Sequence, residues 1–453
     1  MSPLPPKHIL SKSTFVRGCQ CPKSLWLYKH HYDLRDEETE TQSSIFIRGK
    51  GVGLLAQQLF PGGVDASPVD SFHYQQSVAD TAKYVAEGHQ VIYEAAFQYE
   101  GVLCAIDLLV KRNGKWYAYE VKSSTSVKSA FIPDVALQYY VITNAGIALE
   151  DIFLVHINNQ YVRQGELDIH ELFSIVSIRK EVEAQQPFII NKVADLKVIA
   201  SQTNMPAVAI GGHCSKPYPC DFYGHCSKDL VPEEAEQKEQ WILEHEIQSF
   251  VKQLSYPVYY MDFETYMVPV PEYDGHWPYR QVPFQFSVHK QCSDVAAMDH
   301  QYYLAENNGD PCLQFVQQLI ACVGTEGSIV VYNKTFENRI LDELKDDYPE
   351  YETAITEIQT RIVDLMPPFR KKHYYLPAMQ NSYSLKLVLP ALVPELSYDE
   401  MMIADGVDAS TAFYNLRFEN DEAKIKETRQ ALLEYCALDT LGMVRVVEKL
   451  KCI

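Results

Sequence analysis

Residues 104–124 read CAIDLLVKRNGKWYAYEVKSS and predict two strands joined by a tight turn. Asn113-Gly114, between two apolar runs, is the strongest short-range signal for a hairpin. Because side chains alternate along a strand, Glu120 and Lys122 share a face, and the neighbouring strand can bring Asp107 beside them. Two such carboxylates can hold Mg²⁺, and the lysine can stabilise charge on a phosphate. An ordinary charged hairpin is the alternative interpretation.

The sequence around this hairpin predicts an α/β fold. A helix is expected from about Asp134 to Asn144, followed by a strand at IFLVHIN. Further along, PVYYMDFETY and PFQFSVHKQ read as strands, GSIVVYN as a buried strand and KTFENRILDELKDDY as a helix. One long helix is expected from about Lys424 to Lys451. Strands mixed with helices in this way favour α/β sheets covered by helices.

The length of 453 residues predicts two domains. Between about residues 228 and 250 the chain reads KDLVPEEAEQKEQWILEHEI, which is charged and helical in pattern. We therefore expect one domain over residues 1–235 and a second over residues 236–453.

The formal net charge of −20 is unevenly distributed. Residues 1–230 hold 21 Lys and Arg against 24 Asp and Glu, whereas residues 231–453 hold 19 against 36. This acidity argues against a protein that coats DNA through charge alone. Since the chain has neither an apolar run of about 18 residues nor a signal-peptide pattern, we expect no membrane association and a cytoplasmic location.

The eleven cysteines favour metal ligation over a disulfide framework. Three of them, Cys214, Cys220 and Cys226, lie in the run HCSKPYPCDFYGHC, and a distant cysteine must complete a set of four. Cys21, which begins CPKSLWLY, is the candidate. Cys19 is interpreted as a spare thiol, and the scattered cysteines, Cys436 among them, as packed side chains.

A third pattern lies in the second half of the chain. Asp262 and Glu264 share one face of the predicted strand YYMDFETY. Glu337 follows a buried strand in NKTFENRIL, and Tyr435 and Asp439 lie four apart on one face of the last helix. Carboxylates gathered from three such elements are a common way to hold a metal ion.

The hairpin and the helix opening DVALQYYVITNAG resemble the RecB-like branch of the PD-(D/E)XK superfamily, which has a restriction-endonuclease-like fold. The resemblance implies catalytic roles for a set of five residues: Asp107, Glu120, Lys122, Gln138 and Tyr139. Asp107 and Glu120 would ligate Mg or Mn. The sequence departs from the pattern at Gly53, where related nucleases often carry histidine. Glu94 can replace that ligand only if its strand lies adjacent.

The cysteine pattern resembles the iron-sulfur nuclease domains of AddB-type helicase-nucleases and of CRISPR-associated RecB-like exonucleases. That resemblance implies a four-iron four-sulfur cluster bound by Cys21, Cys214, Cys220 and Cys226. Zinc is the competing occupant, favoured by His213 and His225. In either case the ligands close a loop of about 200 residues, which limits the freedom of the unfolded chain.

The third pattern resembles the DEDDy exonucleases of the ribonuclease H-like fold. The resemblance implies metal ligation by four residues, Asp262, Glu264, Glu337 and Asp439, with Tyr435 positioning the attacking water. Two Mg²⁺ ions would bracket the terminal phosphodiester. The sequence departs from this family at Glu337, where aspartate is usual.

Nearly the whole chain resembles a bacterial family known as domain of unknown function 2779, in which these two nuclease-like domains follow one another. The resemblance implies a metal-dependent nuclease acting on nucleic acid, with DNA favoured over RNA, and a 3′-5′ exonuclease acting on single-stranded ends. DNA repair or defence, with a helicase or another repair or defence protein as partner, is the expected setting. A nucleic-acid-binding scaffold with inactive sites, favoured by Gly53 and Glu337, and a zinc-dependent interaction module are the alternatives.

Overall fold

A computed structural model describes residues 7–37, 40–70, 73–228, 240–399 and 401–453. The chain is mixed α/β and divides into two compact units. The first comprises Met1–Leu230 and Pro269–Pro278, and the second comprises Val231–Val268 and Tyr279–Ile453. The expected boundary at residues 235 and 236 lies outside the described residues. No helix within the described ranges is long and apolar enough to cross a membrane.

The first unit is built on a seven-stranded mixed sheet. Its strands are β1 (Leu10–Ser11), β2 (Val64–Asp65), β3 (Val91–Tyr99), β4 (Val102–Arg112), β5 (Lys115–Lys122), β6 (Leu149–Ile157) and β7 (Phe173–Ser177). Its helices are α1 (Lys12–Gln20), α2 (Pro22–His30), α3 (Glu40–Ala56), α4 (Tyr74–Glu87), α5 (Ile132–Asn144), α6 (Ile169–Leu172), α7 (Arg179–Ala184), α8 (Gln186–Ser201) and α9 (Tyr223–Ser227). The strand order is β2-β3-β4-β5-β6-β7, and β1 pairs with β4.

The predicted hairpin forms β4 and β5, and its turn fixes the register of the sheet. Asn113 and Gly114 have φ of 52° and 80°, the left-handed conformation that both central residues of a type I′ turn require. The antiparallel pairing then matches Leu108 with Tyr119. β6 continues the sheet in parallel, because α5 carries the chain back across it.

The N-terminal segment is fixed to the middle of this sheet. β1 pairs in parallel with β4, with Leu10 opposite Val102, and Leu10 is fully buried. Ser11 then caps α1 by accepting the backbone N–H of Thr14, whose side chain in turn accepts the N–H of Ser11. These contacts fix where α1 begins.

The ten residues Pro269–Pro278 belong to the first unit, although the sequence pattern assigns them to the second domain. Arg163 binds this segment. Its Nη1 donates to the carbonyl oxygens of Pro271 at 3.1 Å and Glu272 at 2.9 Å. Its backbone N–H donates to the carbonyl of His276, and its own carbonyl accepts the N–H of Gly275. A loop between two strands of the second unit is therefore part of the first.

The second unit contains a five-stranded sheet in the order β11-β10-β9-β12-β13. Its strands are β8 (Trp241–Ile242), β9 (Val258–Tyr266), β10 (Val282–Gln291), β11 (Asp299–Leu304), β12 (Ser328–Val331), β13 (Ile362–Asp364) and β14 (Tyr374–Tyr375). Its helices are α10 (Glu244–Val251), α11 (Cys312–Val323), α12 (Lys334–Asp347), α13 (Glu352–Arg361), α14 (Pro367–Arg370), α15 (Leu385–Leu392), α16 (Gly406–Asn415) and α17 (Glu422–Lys451). Three antiparallel strands, β11, β10 and β9, are followed by the parallel strands β12 and β13.

The predicted helical pattern before residue 250 is wrong at Trp241 and Ile242, which form the short strand β8 paired with β14. The aromatic side chain decides this local structure. Trp241 stacks on Tyr375 with ring centres 4.5 Å apart, and its Nε1–H donates to the carbonyl of Lys372 at 2.7 Å. The helix begins only at Glu244.

We predict that Phe413→Ala destabilises the second unit by about 3–5 kcal/mol. Phe413 is buried and stacks on Phe284 with ring centres 4.0 Å apart, so its removal leaves a cavity in the core. Urea unfolding measures the change. Phe418→Ala is the matched control, because Phe418 is 67% exposed and its loss should change the free energy of unfolding by less than about 0.5 kcal/mol. Equal effects of the two substitutions would contradict the prediction.

Candidate active sites and cysteine site

Three carboxylates lie side by side on adjacent strands of the first unit. Asp107 and Glu120 directly adjoin Leu108 and Tyr119, the last pair between β4 and β5, and Glu94 and Asp107 lie between two successive pairs of β3 and β4. We call these three residues the first carboxylate site. Desolvation within the site, followed by the charge of Glu120, raises the pKa of Asp107 well above its ordinary value. Burial likewise raises the pKa of Glu94.

The structure meets the condition that the sequence set for Glu94, since its strand is adjacent to that of Asp107. Glu94 has a φ of 51°, a left-handed conformation that costs a side-chain-bearing residue about 1–3 kcal/mol. Such strain persists only where the surroundings impose it, and it is concentrated at functional sites. At Gly53 on α3, an added Cβ would meet no atom within 4 Å. Glu94 therefore lies beside Asp107 and Glu120, whereas position 53 carries no side chain that could act as a ligand.

Two lysines compensate the charge of this site. The Nζ of Lys122 donates to Glu120 Oε1 at 2.7 Å and to Asp134 Oδ2 at 2.6 Å. Lys12, the first residue of α1, donates to the same Glu120 Oε1 at 2.9 Å. Burial alone would raise the pKa of Glu120, but Lys12 and Lys122 together hold it below its ordinary value. The surrounding carboxylates in turn raise the pKa of both lysines against the effect of desolvation.

Of the two predicted residues on α5, the structure brings one to the carboxylates. Gln138 is fully buried, and its Nε2 donates to Glu120 Oε2 at 2.6 Å and to the carbonyl of Ala105 at 2.8 Å. The hydroxyl of Tyr139 instead donates to Glu183 at 3.3 Å. Successive residues of a helix point about 100° apart, so the two side chains leave α5 in different directions. The described contacts thus leave Tyr139 outside the first carboxylate site.

The four predicted cysteines line one small pocket. We call Cys21, Cys214, Cys220 and Cys226 the cysteine site. His213 also lines the pocket, and its Nε2 lies 3.7 Å from the sulfur of Cys214.

Charged and polar contacts hold the two cysteine-bearing segments together. Asp221, between Cys220 and the last cysteine, accepts hydrogen bonds from Arg17 Nη2 at 2.9 Å and from Arg35 Nε at 2.6 Å. Gln20 donates to the carbonyls of His213 at 2.8 Å and Tyr218 at 2.7 Å. The protein itself therefore brings the N-terminal cysteine to the other three.

Local geometry separates Cys21 from its neighbour Cys19. Cys21 is the N-cap of α2, where the nearby backbone N–H groups of Ser24 and Lys23 favour a thiolate although burial raises the pKa overall. Burial raises the pKa of Cys19 to about 11, with no such donors opposing it. Cys19 therefore remains a neutral thiol at physiological pH, whereas Cys21 is suited to ligation.

The second unit gathers four carboxylates from three elements. Asp262 and Glu264 lie on β9, Glu337 on α12 and Asp439 on α17. We call them the second carboxylate site. Burial, followed by the charges of the other members, raises the pKa of Asp262, Glu264 and Glu337 well above their ordinary values. Carboxylates this close ionise together only when a cation neutralises them.

Two tyrosines hold Asp439. Tyr398 donates to Asp439 Oδ1 at 2.6 Å, and Tyr435 lies one helical turn before Asp439 on α17. Burial raises the pKa of Asp439 to about 6, although the two tyrosine hydroxyls and the charge of Lys386 oppose the rise. The Nζ of Lys386 lies 5.8 Å from the ring centre of Tyr435 and donates to the carbonyl of Ala404 at 2.6 Å.

Cys436 packs against the second carboxylate site, a position that the sequence did not indicate. Its sulfur lies 3.9 Å from Asp262 Oδ2, and candidate ligand atoms of Cys436, Asp262 and Glu264 lie within 4.8 Å of one another. Burial and the three nearby carboxylates raise the pKa of this thiol well above its ordinary value. A neutral thiol is a poor ligand, so Cys436 acts as a packed neighbour of the carboxylates.

Sequence reasoning assigned no role to several residues that touch the two carboxylate sites. Lys12 and Asp134 lie in the first site, and Tyr398 and Lys386 lie in the second. Asp134 lies in the first turn of α5, one helical turn before Gln138, so the helical repeat indicates that it lies on the same face. The other contacts join residues far apart in the chain, and no local periodicity indicates them.

Comparisons with known proteins bear on part of the chain. Residues 259–384, which include Asp262, Glu264 and Glu337, match the family described as Domain of unknown function (DUF2779), and this match supports assignment to that family. A relative from Ureaplasma parvum, described as an uncharacterized protein, is 25% identical over 232 residues. The alignment covers 44% of this chain and 31% of the relative, so the chain spans about a third of that protein's length.

We predict that Asp439→Asn makes the second unit more stable at pH 7 in the presence of a chelator. The folded-state pKa of Asp439 is about 6 against an ordinary value of 3.8. The contribution of protonated Asp439 to the free energy of unfolding is therefore complete below pH 3.8 and is lost as the pH rises through 6. Removing the carboxylate should raise the free energy of unfolding at pH 7 by up to about 3 kcal/mol.

Urea unfolding of the wild type and of Asp439→Asn at pH 4 and pH 7 checks this prediction. Glu434→Gln is the matched control, since Glu434 lies exposed on the same helix. A gain in stability that is as large at pH 4 as at pH 7 would argue against the raised pKa.

Proposed function

We propose that this protein is a metal-dependent nuclease that hydrolyses phosphodiester bonds of nucleic acid, with one site in each unit. The observation that carries the proposal is the gathering of three carboxylates across β3, β4 and β5, with Lys122 bound to one of them. The strand orders support a restriction-endonuclease-like fold for the first unit and a ribonuclease H-like fold for the second.

In the first carboxylate site, Glu94, Asp107 and Glu120 are the residues that would hold the ion. Mg²⁺ or Mn²⁺, when bound, supplies Lewis-acid stabilisation of the charge on the phosphate. The donor set fits, because hard divalent cations take carboxylate oxygens. Lys122 places an ammonium group beside these carboxylates, where it can bind a phosphate oxygen. Gln138 fixes the orientation of Glu120 by donating a hydrogen bond to its Oε2.

In the second carboxylate site, the fit rests on a buried acceptor that lacks a partner. Glu337 is 1% exposed, and its Oε2 has no hydrogen-bond partner among the described residues. An ion held with Asp262, Glu264 and Asp439 would satisfy this oxygen. The hydroxyl of Tyr435 lies beside Asp439, where it can orient the attacking water. Glutamate in place of the usual aspartate is therefore compatible with ligation.

By its resemblance to DEDDy exonucleases, the second unit is proposed to act on single-stranded DNA ends in the 3′-5′ direction. We place the protein in the cytoplasm, in DNA repair or defence, with a helicase or another repair or defence protein as partner. Binding of nucleic acid without cleavage is the competing function, and the experiment below distinguishes the two.

We further propose that the cysteine site binds a four-iron four-sulfur cluster that cross-links the N-terminal cysteine of the first unit to the three later ones. The four cysteines line one pocket, and the resemblance to iron-sulfur nuclease domains favours a cluster, in which each cysteine binds a separate iron.

We predict that Glu120→Ala and Asp262→Ala each remove the activity of one unit. The substrates are end-labelled single- and double-stranded DNA and RNA, with Mg²⁺ or Mn²⁺. Loss of a carboxylate ligand should lower the rate at the affected site by at least about 100-fold. Loss of activity in one variant alone assigns cleavage to that unit.

Two exposed glutamates provide matched controls: Glu181→Ala in the first unit and Glu434→Ala in the second. Both should retain the wild-type rate. A wild type that binds these substrates without cutting them would establish the binding scaffold in place of the nuclease.

We predict that the purified protein is brown and contains about four iron atoms and four acid-labile sulfides per chain. Cys220→Ser should lose the iron and the sulfide and should unfold at a lower temperature, because the cross-link made by the cluster is lost. Cys19→Ser is the matched control and should retain the iron. A colourless protein with one zinc per chain would overturn the cluster assignment.

A further inference from the structure

Lys12 occupies an unusual place in the first carboxylate site. Its ammonium group is bound to Glu120 Oε1 at 2.9 Å, and it interacts electrostatically with Asp107 and Glu94 as well. Its charge therefore acts on all three carboxylates, although it contacts Glu120 alone. A positive charge beside such carboxylates is what a metal ion would provide.

We propose that Lys12 supplies in the first carboxylate site the positive charge that a second metal ion supplies in a two-metal site, so that this site binds a single divalent cation. The inference rests on the proposed nuclease function and deepens it. Lys12 acts through Glu120 and its neighbours and is thus a positioning residue.

The position of Lys12 is set by the fold. It follows Leu10 and Ser11, which pair with β4, the strand that carries Asp107. The capping box of α1 fixes the backbone at Ser11 and Thr14. Because the backbone here is already fixed, the ammonium group of Lys12 is held near the carboxylates with little further loss of backbone entropy.

The balance of charge supports a single ion. Asp134 adds a fourth carboxylate through its contact with Lys122, so four carboxylates face two ammonium groups. One divalent cation neutralises the remainder. In the second carboxylate site, by contrast, the Nζ of Lys386 donates to the backbone carbonyl of Ala404.

Buried polar atoms next to these carboxylates point to a ligand independently of the charges. The Oε1 of Gln138, on the amide that contacts Glu120, has no hydrogen-bond partner among the described residues. Gln138 is fully buried. Asp134 is 8% exposed, and its Oδ1 also has no hydrogen-bond partner among the described residues. Such acceptors are satisfied in native proteins by water or an ion.

The test counts bound Mn²⁺ by electron paramagnetic resonance and calorimetry in the full chain carrying Asp262→Asn and Asp439→Asn, which disable the second carboxylate site. We expect one equivalent of Mn²⁺ in this background. Adding Lys12→Met should raise the count to two, because the charge that excludes the second ion is gone. Lys12→Arg, which keeps the charge, should hold the count at one.

Lys83→Met is the matched control, since Lys83 is an exposed lysine on α4 and its loss should leave one equivalent. The inference is overturned if Lys12→Met binds one equivalent of Mn²⁺, as the background protein does. It is also overturned if the background protein itself binds two equivalents of Mn²⁺ or none. The count is made without substrate, so it is independent of cleavage. A protein that lacks nuclease activity but gains a second ion on Lys12→Met supports the role of Lys12 and refutes the proposed function alone.

Discussion

The cost of placing carboxylates next to one another away from water constrains both units. An ionised carboxylate taken out of water costs several kcal/mol unless it is paired. The first unit offsets this cost with two ammonium groups on Glu120, which hold the pKa of that carboxylate down. In the second unit, Lys386 only partly offsets the effect of burial on Glu264, and the pKa values of Asp262, Glu264 and Glu337 rise. Glu120 in the first site is thus paired within its own chain, whereas the carboxylates of the second site depend on protons or on a cation.

Local periodicity predicted the parts of the fold and the sites that depend on neighbours in the chain. Alternation along a strand correctly placed Glu120 and Lys122 on one face, and the Asn113-Gly114 turn set the register that brings Asp107 close to Glu120. The helical repeat placed Tyr435 beside Asp439. In each case the contact spans one turn or one hairpin, and its geometry follows from the backbone alone.

Contacts that depend on tertiary packing could not be predicted in this way. Lys12 reaches Glu120 across 108 residues, and Tyr398 reaches Asp439 across 41. The role of Glu94 depends on which strand pairs with β4, and the sequence left that open. The direction of Tyr139 depends on where Glu183 lies, and Trp241 forms a strand because Tyr375 is there to stack on it.

The segment Pro269–Pro278 has a consequence for how the chain is made. Because these residues belong to the first unit but follow β9 of the second, a growing chain that ends at the junction near residue 235 lacks the partners of Arg163. The ribosome must first make β9, so the earlier unit completes its hydrogen bonds only after part of the later one has emerged. Order of synthesis and order of completion therefore differ, and cutting the chain between its halves would leave the N-terminal fragment unfinished.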